Sequence, residues 1–146
     1  MDFVLLILGS GYEVYDKELI NNPHFHFMGS CNNVGDYMAY SDFFVLSSDK
    51  EGLPLTLLEA MSMGVIPICT PAGGIVDVIT NGENGYLSED NTDISFYNAI
   101  KRALNERGLI NSQSVINEYK AKYSMESCAN SYMNEYKQLL NENLNN

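Results

Sequence analysis

Short apolar runs alternating with stretches of helical periodicity predict an α/β protein, an open parallel sheet with helices on both faces. FVLLIL at residues 3–8, FFVL at Phe43–Leu46 and VIPICT at residues 65–70 are continuous apolar runs of strand length. Such runs suit strands buried on both faces of a parallel sheet. Each leads through a turn into a stretch with apolar residues at three- and four-residue steps, the alternation of βαβ units.

Residues 3–8 form the first strand, and Gly9, Ser10 and Gly11 turn out of it. Val14 stands where a dinucleotide fingerprint needs its third glycine, and no acid stands convincingly about twenty residues on, so nicotinamide binding is a distant reading. Residues 12–20 are expected to be a short helix packing through Tyr15 and Leu19. Residues 25–28 make the next strand, ending at Gly29 and Ser30. His24 and His26 flank Phe25 on one side of that strand, as solvated residues rather than ligands. A helix from about Asn33 to Tyr40 turns Val34, Tyr37 and Met38 inward.

The strand FFVL then feeds residues 48–64, SDKEGLPLTLLEAMSMG. This stretch opens polar, with Asp49 and Glu51 around Lys50. It enters a helix with Pro54 near the first turn, where a missing N–H removes no hydrogen bond. Leu55, Leu57, Leu58 and Met61 recur at helical spacing and predict one buried face. Gly64 supplies a left-handed stop, and Pro67 prevents resumption. The first N–H groups of a helix are unpaired and carry the positive end of its dipole, so an anion fits where Gly52, Leu53, Pro54, Leu55 and Thr56 begin the turn. Gly52 admits a ligand close to the backbone. Glu59 lies inside the helix. Burying its carboxylate requires hydrogen-bond donors, and a sugar diol supplies them; the bland alternative is a carboxylate on the polar face, turned to water.

VIPICT is a buried strand, and Pro71, Ala72, Gly73 and Gly74 precede a second helix at residues 75–79. Two helix ends at the carboxyl edge of a parallel sheet are where such folds bind ligands. Asn81-Gly82 and Asn84-Gly85 are turn signals, and Tyr86–Leu87 is a brief last strand. A helix from Thr92 or Asp93 to about Glu106 carries Ile94, Tyr97, Ile100, Ala103 and Leu104 on one face, and Gly108 ends it. Another helix covers residues 115–119. Ser124 caps a last helix in which Met125, Cys128, Ala129, Tyr132, Met133, Tyr136, Leu139 and Leu140 form a stripe expected to pack in the core. The Asn-rich end is expected to fray.

At 146 residues, with 45% apolar and 18% charged residues, the chain has the composition of one globular domain. The expected division is an α/β core over residues 1–110 and C-terminal helices over 111–146. No apolar run reaches the length of a membrane span. Three cysteines, odd in number and widely spaced, suit reduced thiols in a cytoplasmic protein. No spacing suits a metal site. The net charge is −11, and a surface this acidic repels nucleic acid and anionic lipid. Residues 1–95 hold 14 acids and two bases, Lys17 and Lys50, for −12 of that charge.

Glu51 and Glu59 have seven residues between them, inside EGLPLTLLEAMSMG and followed by PAGG at residues 71–74. This pattern resembles the donor domain of the retaining glycosyltransferases of GT-B fold, family-4 type, over most of the chain from about Val4 to Tyr136. The resemblance implies a Rossmann-like sheet and a nucleotide sugar as substrate, with neither metal nor cofactor. It implies Glu51 beside the transferred sugar as the catalytic position and Glu59 on the ribose hydroxyls. The backbone from Gly52 to Thr56, with Leu53, Pro54 and Leu55 between, would hold the diphosphate. Gly29 and Ser30 would take the base, and Gly73 and Gly74 would touch the donor. Asp77 stands where the family has Glu.

The family's donor domain begins with a strand like Val-Gly-Arg and a downstream Lys-Gly, whose cations grip the phosphates; neither is present. By resemblance the chain is expected to be an N-terminally truncated fragment that lacks its acceptor-binding partner half. It is then expected to be less stable than an upstream-extended chain, with little turnover of its own. The alternatives are a non-catalytic nucleotide-sugar binding module and an inactive fragment of a longer transferase. The nucleotide, sugar and acceptor are not legible in the residues.

Overall fold

The apolar runs become parallel strands and the periodic stretches become helices. The computed structural model describes residues 3–11 and 17–144. Its contacts group into two compact units, Met1–Tyr37 and Met38–Asn146.

In the first unit, β1 (Leu5–Leu8) and β2 (Phe25–Gly29) pair in parallel, Leu5 opposite Phe25 and Ile7 opposite Phe27. The Gly9 amide extends the ladder to the Gly29 carbonyl at 2.8 Å. The strand is shorter and more open than the apolar run predicts. Phe3 and Val4 are exposed, and Leu5 to Leu8 are half-buried. Within its unit β1 is paired along one edge, so its side chains lack the cover a central strand receives. Helix α1 (Lys17–Ile20) leaves Leu19 exposed, contrary to expectation, and Tyr15 lies outside the described residues. His24 donates from Nδ1–H to the Phe3 carbonyl, 2.9 Å away, and stacks on the Phe3 ring. Helix α2 (Val34–Ala39) buries Met38 as expected, and the boundary between the units falls inside it.

The second unit is built on a three-stranded parallel sheet, β3 (Phe43–Leu46), β4 (Ile66–Cys69) and β5 (Tyr86–Leu87), with β4 central. All four residues of β4 are buried. Pro67 is tolerated in this central strand because of where its missing donor points. The amides of Ile66 and Thr70 face β3 and bond Asp42 and Leu46; Pro67, one residue out of phase with Ile66, presents its nitrogen on the β5 side. The pairing with β5 starts only at Ile68, opposite Tyr86, so no ladder bond is lost.

Helix α3 (Leu55–Ser62) ends in a Schellman motif. Met63 is the cap, Gly64 follows at φ +78, Gly64 N–H bonds Met61 O at 3.0 Å and Val65 N–H bonds Ala60 O at 3.1 Å. A side chain at Gly64 would also meet Ile116, so the glycine lets a later helix approach. Helices α4 (Ile75–Val78), α5 (Asp93–Asn105), α6 (Ser112–Lys122) and α7 (Met125–Leu144) complete the unit. Thr92 caps α5, Asn111 caps α6 and Ser124 caps α7 through side-chain oxygens.

Three helix faces match the expected burial only in part, with Leu57, Leu58 and Met61 of α3 and Ile100 and Ala103 of α5 inward as expected. On α3 the core takes Leu57, Ala60 and Met61, while Leu55 is 72% exposed. On α5 it takes Ala99 and Ala103 with Phe96 and Ile100 beside them; Ile94 and Tyr97 are exposed. Alanines let α5 lie close on β4 and β5, so small residues mark its inner face. On α7 the Met and Tyr stripe, expected in the core, is exposed from Met125 to Leu140. Helix α7 continues to Leu144, beyond where fraying was expected. Among the described residues no helix is long and apolar enough to cross a membrane.

Candidate functional site

Two loops leave the carboxyl ends of the adjacent strands β3 and β4. The first, residues 47–54, carries Asp49, Lys50, Glu51 and Gly52 into α3; the second, residues 70–74, carries Gly73 and Gly74 into α4. Because β3 and β4 run in register, Leu46 opposite Cys69, both loops start at one level of the sheet.

The loops are hydrogen-bonded to each other. The Gly74 amide donates to the Gly52 carbonyl at 2.7 Å. Gly73 lies at φ +53, and a Cβ there would run into the Glu51 carbonyl oxygen. The approach therefore needs glycine on both counts, conformation and space. Further back, the Thr70 hydroxyl donates to the Ser48 carbonyl at 2.6 Å and the Asn91 side-chain amide donates to Asp49 O at 3.3 Å. Sequence reasoning did not single out Thr70 and Asn91. The one available signal for Thr70 was a hydroxyl closing an otherwise apolar strand.

Pro54 occupies the N-cap of α3 rather than its first turn, with φ −69 and ψ 120, and no side chain caps the helix. The amides of Leu55 and Thr56 consequently have no intrahelical acceptor. Thr56 is exposed, Leu53 is exposed beside Gly74, and the space a Cβ would fill at Gly52 is open. Glu51 is half-buried. Glu59 is exposed, one turn after Leu55 on the same open face. The desolvated carboxylate expected from its apolar neighbours does not occur, because the core contacts fall on Leu57, Ala60 and Met61 instead. Neither carboxylate has a side-chain partner among the described residues. Lys50 is the one basic residue in the two loops, so amides and the α3 dipole supply most of the local positive potential.

The structure thus brings Glu51, Gly52, Leu53, Gly73 and Gly74 together, with Leu55, Thr56 and Glu59 along the helix that follows. Gly29 and Ser30 stand in the first unit at the carboxyl end of β2, where the Gly29 carbonyl accepts the Gly9 amide. Among the described residues no three His, Cys, Asp or Glu side chains are grouped to hold a metal. The buried Cys69 thiol, at the end of β4, is pushed up to about 12 by its burial and is inert as a nucleophile at neutral pH.

A family model described as glycosyl transferases group 1 matches residues 1–123. N-acetyl-alpha-D-glucosaminyl L-malate synthase of Bacillus anthracis is 43% identical over 94 residues, 61% of this chain and 25% of that protein. A glycosyltransferase from Rickettsia africae superposes on 95% of this chain and 40% of its own, with a TM-score of 0.78 and 22% identity. Anabaena Alr3699/HepE, in complex with UDP, covers 93% of this chain and 41% of its own, with a TM-score of 0.70 and 19% identity. The chain thus spans between a quarter and about two-fifths of the length of these proteins. The shared fold is the Rossmann-like parallel α/β arrangement of GT-B enzymes.

Proposed function

The chain belongs to the glycosyl transferases group 1 family, and from that premise we propose that its two joined loops hold the nucleotide-sugar donor of a transfer reaction. The observation that carries the reading is the Gly74–Gly52 hydrogen bond, 2.7 Å long. It puts the two glycine loops and the uncapped start of α3 on one edge of the sheet.

In this reading the diphosphate lies against the free amides of Gly52, Leu53, Leu55, Thr56 and Gly73. Pro54 has no amide to offer and shapes the approach. The Gly74 amide, already bonded to Gly52, locks the loops rather than contacting phosphate. Glu51, half-buried at the loop mouth, takes the transferred sugar and acts as the catalytic carboxylate. Glu59, exposed on α3, accepts hydrogen bonds from the ribose hydroxyls; a carboxylate serving an open cleft is wet until the ligand arrives. Sugar transfer proceeds with retention at the anomeric carbon. Preorganised amides stabilise the charge that builds on the leaving nucleoside diphosphate without having to reorient, and neither metal nor cofactor takes part.

Support comes from the family membership, from the Glu-x7-Glu spacing and from UDP in the HepE crystal. With Lys50 as the one cation in the loops, donor binding by this chain is weak. The test is calorimetric titration with UDP, GDP and ADP, paired with a labelled-sugar transfer assay. One of the three nucleotides binding this chain is the expected result; binding of none overturns the reading. Binding without transfer, even with the partner half present, leaves a non-catalytic donor-binding module.

A further inference from the structure

The segment that carries Glu51 is gripped from β4 by a side chain to which the family motif gives no role. Thr70 closes the apolar run Ile66–Cys69 and is itself 2% exposed. Its hydroxyl donates to the Ser48 carbonyl at 2.6 Å, and its amide donates to the Leu46 carbonyl at 3.1 Å. Three residues beyond Ser48 comes Glu51, and Gly52 after it accepts the Gly74 amide. The acidic loop is therefore tied at both ends to the segment from Thr70 to Gly74, with Asn91 bonding Asp49 O between the ties.

A position needed only for packing at the end of this strand would be served by another aliphatic residue. A buried hydroxyl has to find a partner, and this one gives its hydrogen to a loop that has no secondary structure of its own. We infer that Thr70 is a positioning residue for the donor loop. It sets the height of the Ser48–Gly52 segment over β4, and with it the direction of the Glu51 carboxylate and of the first amides of α3. This inference rests on the donor-site reading above.

The experiment compares Thr70→Val and Thr70→Ser in the full chain. Valine keeps the volume and β-branch and loses the donor; serine keeps the donor. Thr70→Ala replaces the valine variant should that one fail to fold. Affinity is measured for whichever of UDP, GDP and ADP the unmodified chain binds, well below the melting midpoint of every variant. Amide exchange is followed at Gly74, which reports the junction of the loops, and at Ile68, which reports the core ladder.

The valine variant is expected to bind about five- to tenfold more weakly, the loss of one hydrogen bond, and the serine variant within about twofold of the unmodified chain. Exchange at Gly74 is expected to accelerate in the valine variant while Ile68 stays unchanged. Unaltered affinity in the valine variant overturns the inference. So does a serine variant as weak as valine, or acceleration of Gly74 and Ile68 by the same factor, which is general destabilisation. Should the unmodified chain bind none of the three nucleotides, the donor reading falls, and the Gly74 exchange rate alone decides whether Thr70 holds the loop.

Discussion

The amide of Gly74 and the carbonyl oxygen of Gly52 stand 2.7 Å apart, joining the loop after β4 to the loop after β3. This bond uses up the Gly74 donor. Among the described residues it leaves the amides of Gly52, Leu53, Leu55, Thr56 and Gly73 without a hydrogen-bond partner.

The junction separates the glycines by role. At Gly73 the backbone is left-handed, and a methyl group would strike the Glu51 carbonyl. Gly73→Ala is expected to cost about 1–3 kcal/mol from the conformation alone, with the collision added, as a lowered urea midpoint. At Gly52 a methyl group meets nothing. Gly52→Ala is expected to stay within about 0.5 kcal/mol of the unmodified chain and to lose nucleotide affinity, because the methyl group occupies the ligand's approach.

Glu59 gives a second separation of stability from binding. It is exposed and has no side-chain partner among the described residues, so Glu59→Ala is expected to shift stability by less than about 0.5 kcal/mol. Nucleotide affinity is expected to fall about tenfold or more with the loss of charged hydrogen bonds to the ribose. Titration of both proteins with the same nucleotide measures it; equal affinities exclude a ribose role.

The phase of α3 is checked by two leucines. Leu57 is fully buried and Leu55 is open to solvent. Leu57→Ala is expected to lose about 2–5 kcal/mol, and Leu55→Ala less than about 0.5 kcal/mol, by urea unfolding. The reverse order would mean the helix is rotated.

Stability is expected to fall at both ends of the pH scale. The hydrogen bond from Lys122 holds the Glu118 carboxyl below its ordinary 4.5, against the opposing effect of burial, with Asn84 adding a second bond. A lowered carboxyl contributes stability above 4.5 that is lost as pH drops through its folded value. Burial raises the Cys69 thiol from 9.0 to about 12, so the unfolded chain gives up that proton first. The stability is present below 9.0 and is lost as pH rises towards 12. Burial raises the Tyr86 hydroxyl as well, with Glu106 adding to it, and its loss begins above 10.0. Urea midpoints across pH should show a shallower acid slope for Glu118→Gln and a shallower alkaline slope for Cys69→Ala.

The strands and most helix ends were legible from the residues, and the helix phases were legible only in part. The ends of α6, expected at 115 and 119 and found at Ser112 and Lys122, were not legible. FFVL and Tyr86–Leu87 form strands with the predicted bounds. Gly64, Thr92 and Ser124 stop or start helices where their chemistry places them. These are local effects, decided within a turn of the residue concerned. Which side of a helix is buried is decided by what lies beside it. LTLLEAMS carries leucines on several sides, so its pattern admits two phases, and the sheet selected Leu57 over Leu55. Helix α5 turned its alanines inward because closeness to β4 and β5 outweighs side-chain size. The even stripe on α7 marks an apolar face without saying what covers it. The same ambiguity hid the exposure of Glu59. The nearness of Gly73 to Glu51 was anticipated from the topology, whereas the hydrogen bond through Gly74 and the grip of Thr70 depend on distances that no spacing in the chain encodes.

The most direct test of a shared donor surface is amide chemical-shift mapping of the chain as UDP, GDP or ADP is added. The account predicts that the largest shifts fall on Gly52, Leu53, Leu55, Thr56 and Gly73, moving together with one binding constant. Shifts confined to α6 and α7, or loops that respond with separate constants, would contradict it.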